Sequence, residues 1–208
     1  MILIGQYDSP FVRRVGIALT LYGLAFEHRP WSTFGDAEKI RPYNPLTRVP
    51  TLVLEDGTVL TDSHIILDYL DSLVPAERVL FPRAEPARHR ALRIATLAAG
   101  LAEKSVSLFY ERLLHPAVSN VWIDRCRTQI RAVLTMLETE RAARATPYWF
   151  GLTIGHADIV VATALRFLTD AHPGLADMDR HPALAAHAAR LEALAVFQTI
   201  QQRFIPPN

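Results

Sequence analysis

The sequence predicts an α/β domain followed by an all-α domain, and three observations carry that reading. Before residue 80, short apolar runs alternate with segments of helical apolar spacing. After it, Ala, Leu and Arg dominate and helical spacing becomes continuous. Between the two, Val74-Pro75 through Phe81-Pro82-Arg83-Ala84-Glu85-Pro86 carries three prolines. Proline removes a backbone donor and restricts its neighbour, so this segment reads as a linker. A chain of 208 residues falls between one and two domains. The composition break decides for two, residues 1–80 and 86–208.

Met1–Gln6 opens the chain as a short buried strand. Ser9-Pro10 then starts a helix, with serine as N-cap and proline at the first helical position. Val12, Val15, Leu19 and Tyr22 recur on one face, and Gly23 closes the helix in the left-handed conformation that glycine tolerates. Phe26–Trp31 is a second strand, which completes a β-α-β unit. Residues 32–49 hold Pro42, Asn44 and Pro45 and predict irregular structure with one helical turn. Val49–Glu55 and Thr58–Thr61, joined by Asp56-Gly57, predict a hairpin. Asp62-Ser63 caps a helix through Leu73 whose expected buried face is Ile65, Ile66, Tyr69, Leu70 and Leu73. Both helices are expected to cover one face of the sheet. Beyond the linker, helices are expected over 86–114, 119–144, 156–171 and 182–196. Gly155 reads as the N-cap of the third, with Asp158 reaching back to a free backbone N–H.

Charge and composition exclude several classes. The net charge is +1. The first 80 residues carry seven basic and ten acidic side chains, the remainder fifteen and eleven, so neither part has the dense basic footprint of nucleic-acid binding. The chain is half hydrophobic and 21% charged, unlike a disordered segment. Residues 152–168 come nearest to a membrane span, but His156, Asp158 and Arg166 interrupt them. Met1-Ile2-Leu3-Ile4-Gly5 lacks the basic region of a signal peptide. A cytoplasmic protein is expected, without membrane or nucleic-acid partners. The eight histidines form no ligand cluster, and no metal is expected. The lone Cys126 sits in a helical pattern and reads as inert packing. Arg13, Arg14, Arg125, Arg127 and Arg131 read as solvated faces or dimer contacts.

The chemistry gathers in three places. In a thioredoxin-like β-α-β-β-β-α domain, Ser9-Pro10, Val49-Pro50 and Asp62-Ser63 fall on one edge of the sheet. A helix N-terminus presents unpaired N–H groups and partial positive charge, so Ser9 stands where an anion is stabilised. A cis Val49-Pro50 would offer the Val49 N–H and C=O to an extended peptide. Ser63 and its N–H groups suit a carboxylate, and Asp62 suits an ammonium. The three together describe a site for a short peptide bearing a thiol. Tyr7, near the end of the first strand and two residues before Ser9, carries a hydroxyl of the right chemistry and is a rival for the thiol contact.

Three stretches resemble the glutathione S-transferase family: Ser9-Pro10-Phe11-Val12-Arg13-Arg14-Val15, Asn44-Pro45-Leu46-Thr47-Arg48-Val49-Pro50-Thr51-Leu52, and Leu60-Thr61-Asp62-Ser63-His64-Ile65-Ile66-Leu67-Asp68-Tyr69-Leu70. The resemblance implies a thioredoxin-like domain, a helical second domain and a homodimer. It implies that Ser9 hydrogen-bonds the glutathione sulfur and that the main chain of Val49, before Pro50, pairs with the cysteinyl part. It implies that Asp62 and Ser63 hold the γ-glutamyl end, with Arg48 near the glycyl carboxylate and Trp31 and Ser32 at the rim. Phe11, Ser107, Phe109, Tyr110 and Leu113 are the implied lining for an apolar electrophile, the second substrate. Glutathione enters as co-substrate. The sequence departs from the family where Asp62 replaces the commoner Glu or Gln, where Thr47 stands near a usual Gly, and where Gly155 replaces a Ser or Thr cap.

The implied reaction is attack of the glutathione thiolate on an electrophilic carbon. Another glutathione-dependent enzyme or a non-catalytic binding protein are the alternatives. The absence of Cys near Ser9 argues against mixed-disulfide chemistry. A thiol of pKa ~8.5 is only ~3% ionised at pH 7, and lowering it by ~2 units requires ~2.7 kcal/mol. One hydrogen bond to a charged group gives ~1.5–3 kcal/mol. A helix N-terminus adds ~0.3–2 kcal/mol. Ser9 with the first turn behind it is thus sufficient as donor, without metal or general base.

Overall fold

A computed structural model describes residues 1–206 of the chain. It divides into two compact units: Met1–Arg83 together with the residues from Leu194, and Ala84–Ala193.

The first unit contains β1 (Ile2–Ile4), α1 (Pro10–Tyr22), β2 (Glu27–Arg29), α2 (Ala37–Ile40), β3 (Thr51–Val53), β4 (Val59–Thr61) and α3 (Ser63–Ser72). The sheet order is β2-β1-β3-β4, with β1 parallel to β2 and antiparallel to β3, and β4 antiparallel to β3. This is the predicted thioredoxin-like arrangement. The strands are shorter than expected because their ends turn. Gly5 leaves β1 at φ 130°, and Pro30 follows β2 without an N–H to donate. The hairpin closes as read: Leu54 N–H donates to Thr58 O at 2.8 Å, and Asp56 Oδ1 accepts from Thr58 N–H at 2.9 Å.

Strand alternation sorts the core into two layers. Leu3 and Leu52 face Val12, Val15, Ala18, Leu19 and Tyr22 of α1 and Ile66, Leu67 and Leu70 of α3. Ile4 and Val53 face Ile40 on the other side. Both long helices therefore cover one face of the sheet, as expected. The buried face of α3 is a correction: Ile66, Leu67 and Leu70 are inside, whereas Ile65 and Leu73 are exposed. The two readings differ by a small rotation of the helix, which tertiary packing and not periodicity decides.

The arginines Arg13 and Arg14 also need correcting. Both are almost fully buried, at 3% and 2% exposure. Arg13 Nε donates to Ile200 O at 2.8 Å and Nη2 to Phe197 O at 3.1 Å, and its guanidinium lies 5.4 Å from the Phe197 ring centre. These partners belong to α8 (Ala195–Thr199) and the residue that ends it. The domain boundary drawn from sequence gave 86–208 wholly to the helical part, but the residues from Leu194 pack within the first unit. The expected helix over 182–196 accordingly breaks at Ala193-Leu194.

The second unit is helical: α4 (Ala87–Leu114), α5 (Asn120–Ala142), α6 (His156–Ala171) and α7 (Pro182–Glu192). Ile123, Cys126, Ile130, Leu134 and Leu137 form the inner stripe of α5, and Cys126 is fully buried, with its thiol pushed up by burial. Residues 157–165 of α6 are buried without a break, as befits the central helix. Its N-terminus is built as read, with Gly155 N–H donating to Asp158 Oδ2 at 2.8 Å, and Asp158 Oδ1 also accepts from Trp149 N–H at 2.7 Å. Helix α7 lacks a local cap, and the Glu138 carboxylate of α5 takes that role, accepting from Ala183 N–H at 2.9 Å and Leu184 N–H at 2.8 Å.

Candidate functional site

The β1–α1 turn is compact because Gly5 lacks a side chain. A Cβ there would stand 2.5 Å from Val12 Cγ2 and 2.8 Å from Val49 Cβ, and the φ of 130° excludes side chains as well. Gly5 thus lets the end of β1, the first turn of α1 and the Val49-Pro50 turn meet. Sequence reasoning missed this residue, although a glycine directly after a strand is the signal for such an approach.

Ser9 is the N-cap of α1, with φ −69° and ψ 122°. Its Oγ accepts from Val12 N–H at 3.5 Å, longer than an ordinary bond of about 2.9–3.0 Å. Among the described residues its O–H has no acceptor. The hydroxyl is therefore loosely held and retains its proton for another partner. Tyr7 is engaged elsewhere. Its ring stacks on His28 with centroids 3.9 Å apart, and lies where a Cβ on Gly16 would meet it at 2.8 Å. Gly16 is nearly two turns into α1, away from the N-terminus that Ser9 caps. Burial pushes the Tyr7 hydroxyl up to about 12, so it is held neutral.

The Val49-Pro50 bond is cis. Val49 makes no backbone hydrogen bond among the described residues, while its side chain packs between both core layers. Buried Asn44 braces this turn: its Nδ2 donates to Arg48 O at 2.9 Å and to Thr51 Oγ1 at 3.2 Å, and its Oδ1 accepts from Leu46 N–H at 3.0 Å. Thr47 takes a left-handed φ of 51°, a conformation that glycine adopts without strain. The Arg48 side chain is exposed.

At the third stretch, Asp62 is the exposed N-cap of α3, and its Oδ1 accepts from His64 N–H at 2.7 Å. Its φ of 69° with ψ 126° is sparsely populated and costs about 1–3 kcal/mol. That conformation turns Ser63 inward, where it is 3% exposed. Ser63 Oγ accepts a hydrogen bond from Arg14 Nη2, which leaves the Ser63 O–H as a donor. No local pattern announces Arg14, because its partner is 49 residues away. Arg14 also lies 5.7 Å from the ring centre of Phe11, which is half-buried. Trp31 packs with Tyr43 at 6.1 Å, and Ser32 Oγ is engaged by Phe34 and Gly35 N–H.

The remaining expected residues lie on α4 in the second unit. Ser107, Phe109 and Tyr110 are half-buried and Leu113 is exposed. Phe109 meets Tyr110 at 5.8 Å and the edge of His172 at 6.3 Å. Leu108 on the same helix is wholly core, and Ser105 is buried with its hydroxyl spent on Leu101 O. Among the described residues no three His, Cys, Asp or Glu side chains gather as a metal site would, and no helix is long and apolar enough to cross a membrane.

The chain matches the family model for the glutathione S-transferase N-terminal domain over residues 3–78 and that for the C-terminal domain over 120–190. It is 34% identical over 140 residues to the uncharacterized GST-like protein YibF of Escherichia coli K12, which spans 66% of this chain and 68% of the relative. A glutathione S-transferase from Methylobacterium radiotolerans, solved with glutathione sulfonate, superposes with a TM-score of 0.90 at 29% identity, covering 100% of this chain and 98% of that one. A transferase family member from Pseudomonas fluorescens, solved with bound glutathione, gives 0.82 at 33% identity, covering 100% and 99%.

Proposed function

The chain belongs to the glutathione S-transferase family, and from that premise we propose that it binds glutathione and directs the thiolate onto an electrophilic small molecule. The observation that carries this reading is the Ser9 hydroxyl, an N-cap whose proton is unspent beside the first turn of α1. In this reading Ser9 donates to the thiolate and is not itself the nucleophile. The first turn of α1 adds its partial positive charge. The main chain of Val49, ahead of Pro50, pairs with the cysteinyl segment as an added strand does. Ser63 donates to the γ-glutamyl carboxylate, Asp62 accepts from the ammonium, and exposed Arg48 meets the glycyl carboxylate. The electrophile in this reading is an apolar small molecule. The protein acts in the cytoplasm as a homodimer, which light scattering in solution tests directly.

The decisive experiment measures glutathione binding by calorimetry and conjugation to a chlorodinitrobenzene. Ser9→Ala removes a hydrogen bond to a charged group, so kcat/KM is expected to fall about 10–100-fold. Tyr7→Phe is expected to stay within about two-fold, as its hydroxyl lies off the path of the reaction. Loss of activity in Tyr7→Phe with Ser9→Ala unaffected would overturn the assignment. Binding without turnover would make this a glutathione-binding protein and remove the catalytic half of the proposal.

A further inference from the structure

The residues from Leu194 reach back across the whole sequence to the loop that precedes Ser9. Five contacts define the connection. Arg13 donates to Ile200 O and Phe197 O at 2.8 and 3.1 Å. A Cβ on Gly16 would meet Ile200 Cγ2 at 2.9 Å, so the absence of a side chain admits the segment against α1. Tyr7 N–H donates to Gln202 Oε1 at 3.2 Å, and Ile205 N–H donates to Asp8 Oδ2 at 3.1 Å. The last two grip Tyr7 and Asp8, the residues immediately before Ser9. They are contacts across 195 and 197 residues of sequence, and all lie within the first unit.

Ser9 itself is tied down weakly. Its N–H donates to Gln6 O at 3.2 Å and its side chain meets Val12 N–H at 3.5 Å. Nothing in that turn alone fixes the hydroxyl to the fraction of an ångström that a short charge-assisted hydrogen bond demands. The grip also fixes Asp8. A carboxylate next to Ser9 opposes a thiolate, and where it points decides how strongly. Burial raises the Asp8 carboxyl, and the N–H groups of Ile205 and Ser9 partly offset this, so the group is held in place by the segment and the turn together.

We propose that Gln202 and Ile205 are positioning residues for the thiol site: they anchor the Tyr7-Asp8 loop and thereby aim the Ser9 hydroxyl and fix the Asp8 carboxylate. This rests on the reading of Ser9 as the donor to glutathione sulfur. It extends that reading to a segment that none of the three N-terminal stretches contains.

The test uses the full-length chain with Gln202→Ala, which removes the acceptor for Tyr7 N–H, and Ile205→Pro, which removes the donor to Asp8. Neither touches the Arg13 contacts. Two measurements separate the two claims. The first is amide hydrogen exchange without ligand. The double variant is expected to speed exchange at Ser9 and Val12 about ten-fold or more, with α3 amides unchanged. Unchanged exchange at Ser9 and Val12 overturns the anchoring claim. The second is titration of bound glutathione by the ultraviolet absorbance of its thiolate. The double variant is expected to raise the bound thiol pKa by about half to one unit, and to do so only while Ser9 is present. A thiol pKa unmoved by the double variant, in a protein where Ser9→Ala does raise it, overturns the positioning claim. If Ser9→Ala itself leaves the thiol unmoved, the reading of Ser9 fails, and the exchange experiment still decides whether the segment holds the loop. A loss of melting temperature with neither effect shows a purely structural strap and likewise overturns the proposal.

Discussion

At the scale of single residues, the site is held by side chains whose partners are distant in sequence. Arg14→Met keeps the length of the side chain but removes the donor to Ser63. On the proposed role of Ser63, glutathione binding is expected to weaken about three- to ten-fold, read by calorimetry, since the Ser63 hydroxyl would lose the donor that orients it. Thr47 is the counterpart, a residue strained by its backbone. A left-handed conformation costs a side-chain-bearing residue about 1–2 kcal/mol, and glycine costs about 0.5–1 kcal/mol in lost freedom. Thr47→Gly is therefore expected to raise stability by about 0.5–1 kcal/mol, measurable by thermal denaturation. What was legible in sequence follows the same division. Ser9, Pro10 and Gly23 announce a helix because capping is local chemistry, and each occupies the position read for it. Arg13 and Arg14 look like any pair of charged surface residues, because the carbonyls and hydroxyl that satisfy them lie 49 to 187 residues away. Asp62-Ser63 was readable as a cap, but not the left-handed φ at Asp62 that turns Ser63 inward.

At the scale of elements, two helix N-termini in the second unit are completed by carboxylates on buried or half-buried ground. Glu138→Ala removes both acceptors from the start of α7 and is expected to cost about 1–2 kcal/mol in urea denaturation. Asp158 and His187 bear on pH. Burial pushes Asp158 up to about 6 and His187 down to about 3, and His187 Nε2 stands 3.3 Å from Asp158 Oδ1. A raised carboxyl contributes stability that is present at low pH and lost as pH rises through about 6. A depressed histidine contributes stability that is present above its unfolded value of 6.5 and lost as pH falls toward about 3. The two slopes oppose each other between those limits. His187→Phe removes the second, so its stability relative to the parent is expected to rise as pH falls from 7 to 4, followed by denaturation at each pH. Helix boundaries themselves were largely legible, since caps and periodicity are properties of adjacent residues. The rotation of α3 and the break at Ala193-Leu194 were not, because packing against other elements decides both.

At the scale of the molecule, the first unit is assembled from both ends of the sequence, with Ala84–Ala193 inserted between them. A chain of residues 1–83 alone leaves the buried Arg13 guanidinium without Phe197 O and Ile200 O. Two hydrogen bonds from a charged group to carbonyls, at about 1.5–3 kcal/mol each, are lost, so this fragment is expected to unfold earlier and less cooperatively than the whole chain by circular dichroism. The composition break near residue 80 located the division of the chain, yet composition cannot show a late segment returning to an early unit. The same topology imposes an order on synthesis. The sheet and its helices leave the ribosome before the helical insert, and the residues that grip Tyr7 and Asp8 follow that insert. A nascent chain therefore carries every strand of the first unit long before Arg13 can meet Phe197 O and Ile200 O. The loop before Ser9 gains its contacts to Gln202 and Ile205 only after the helical insert has been made.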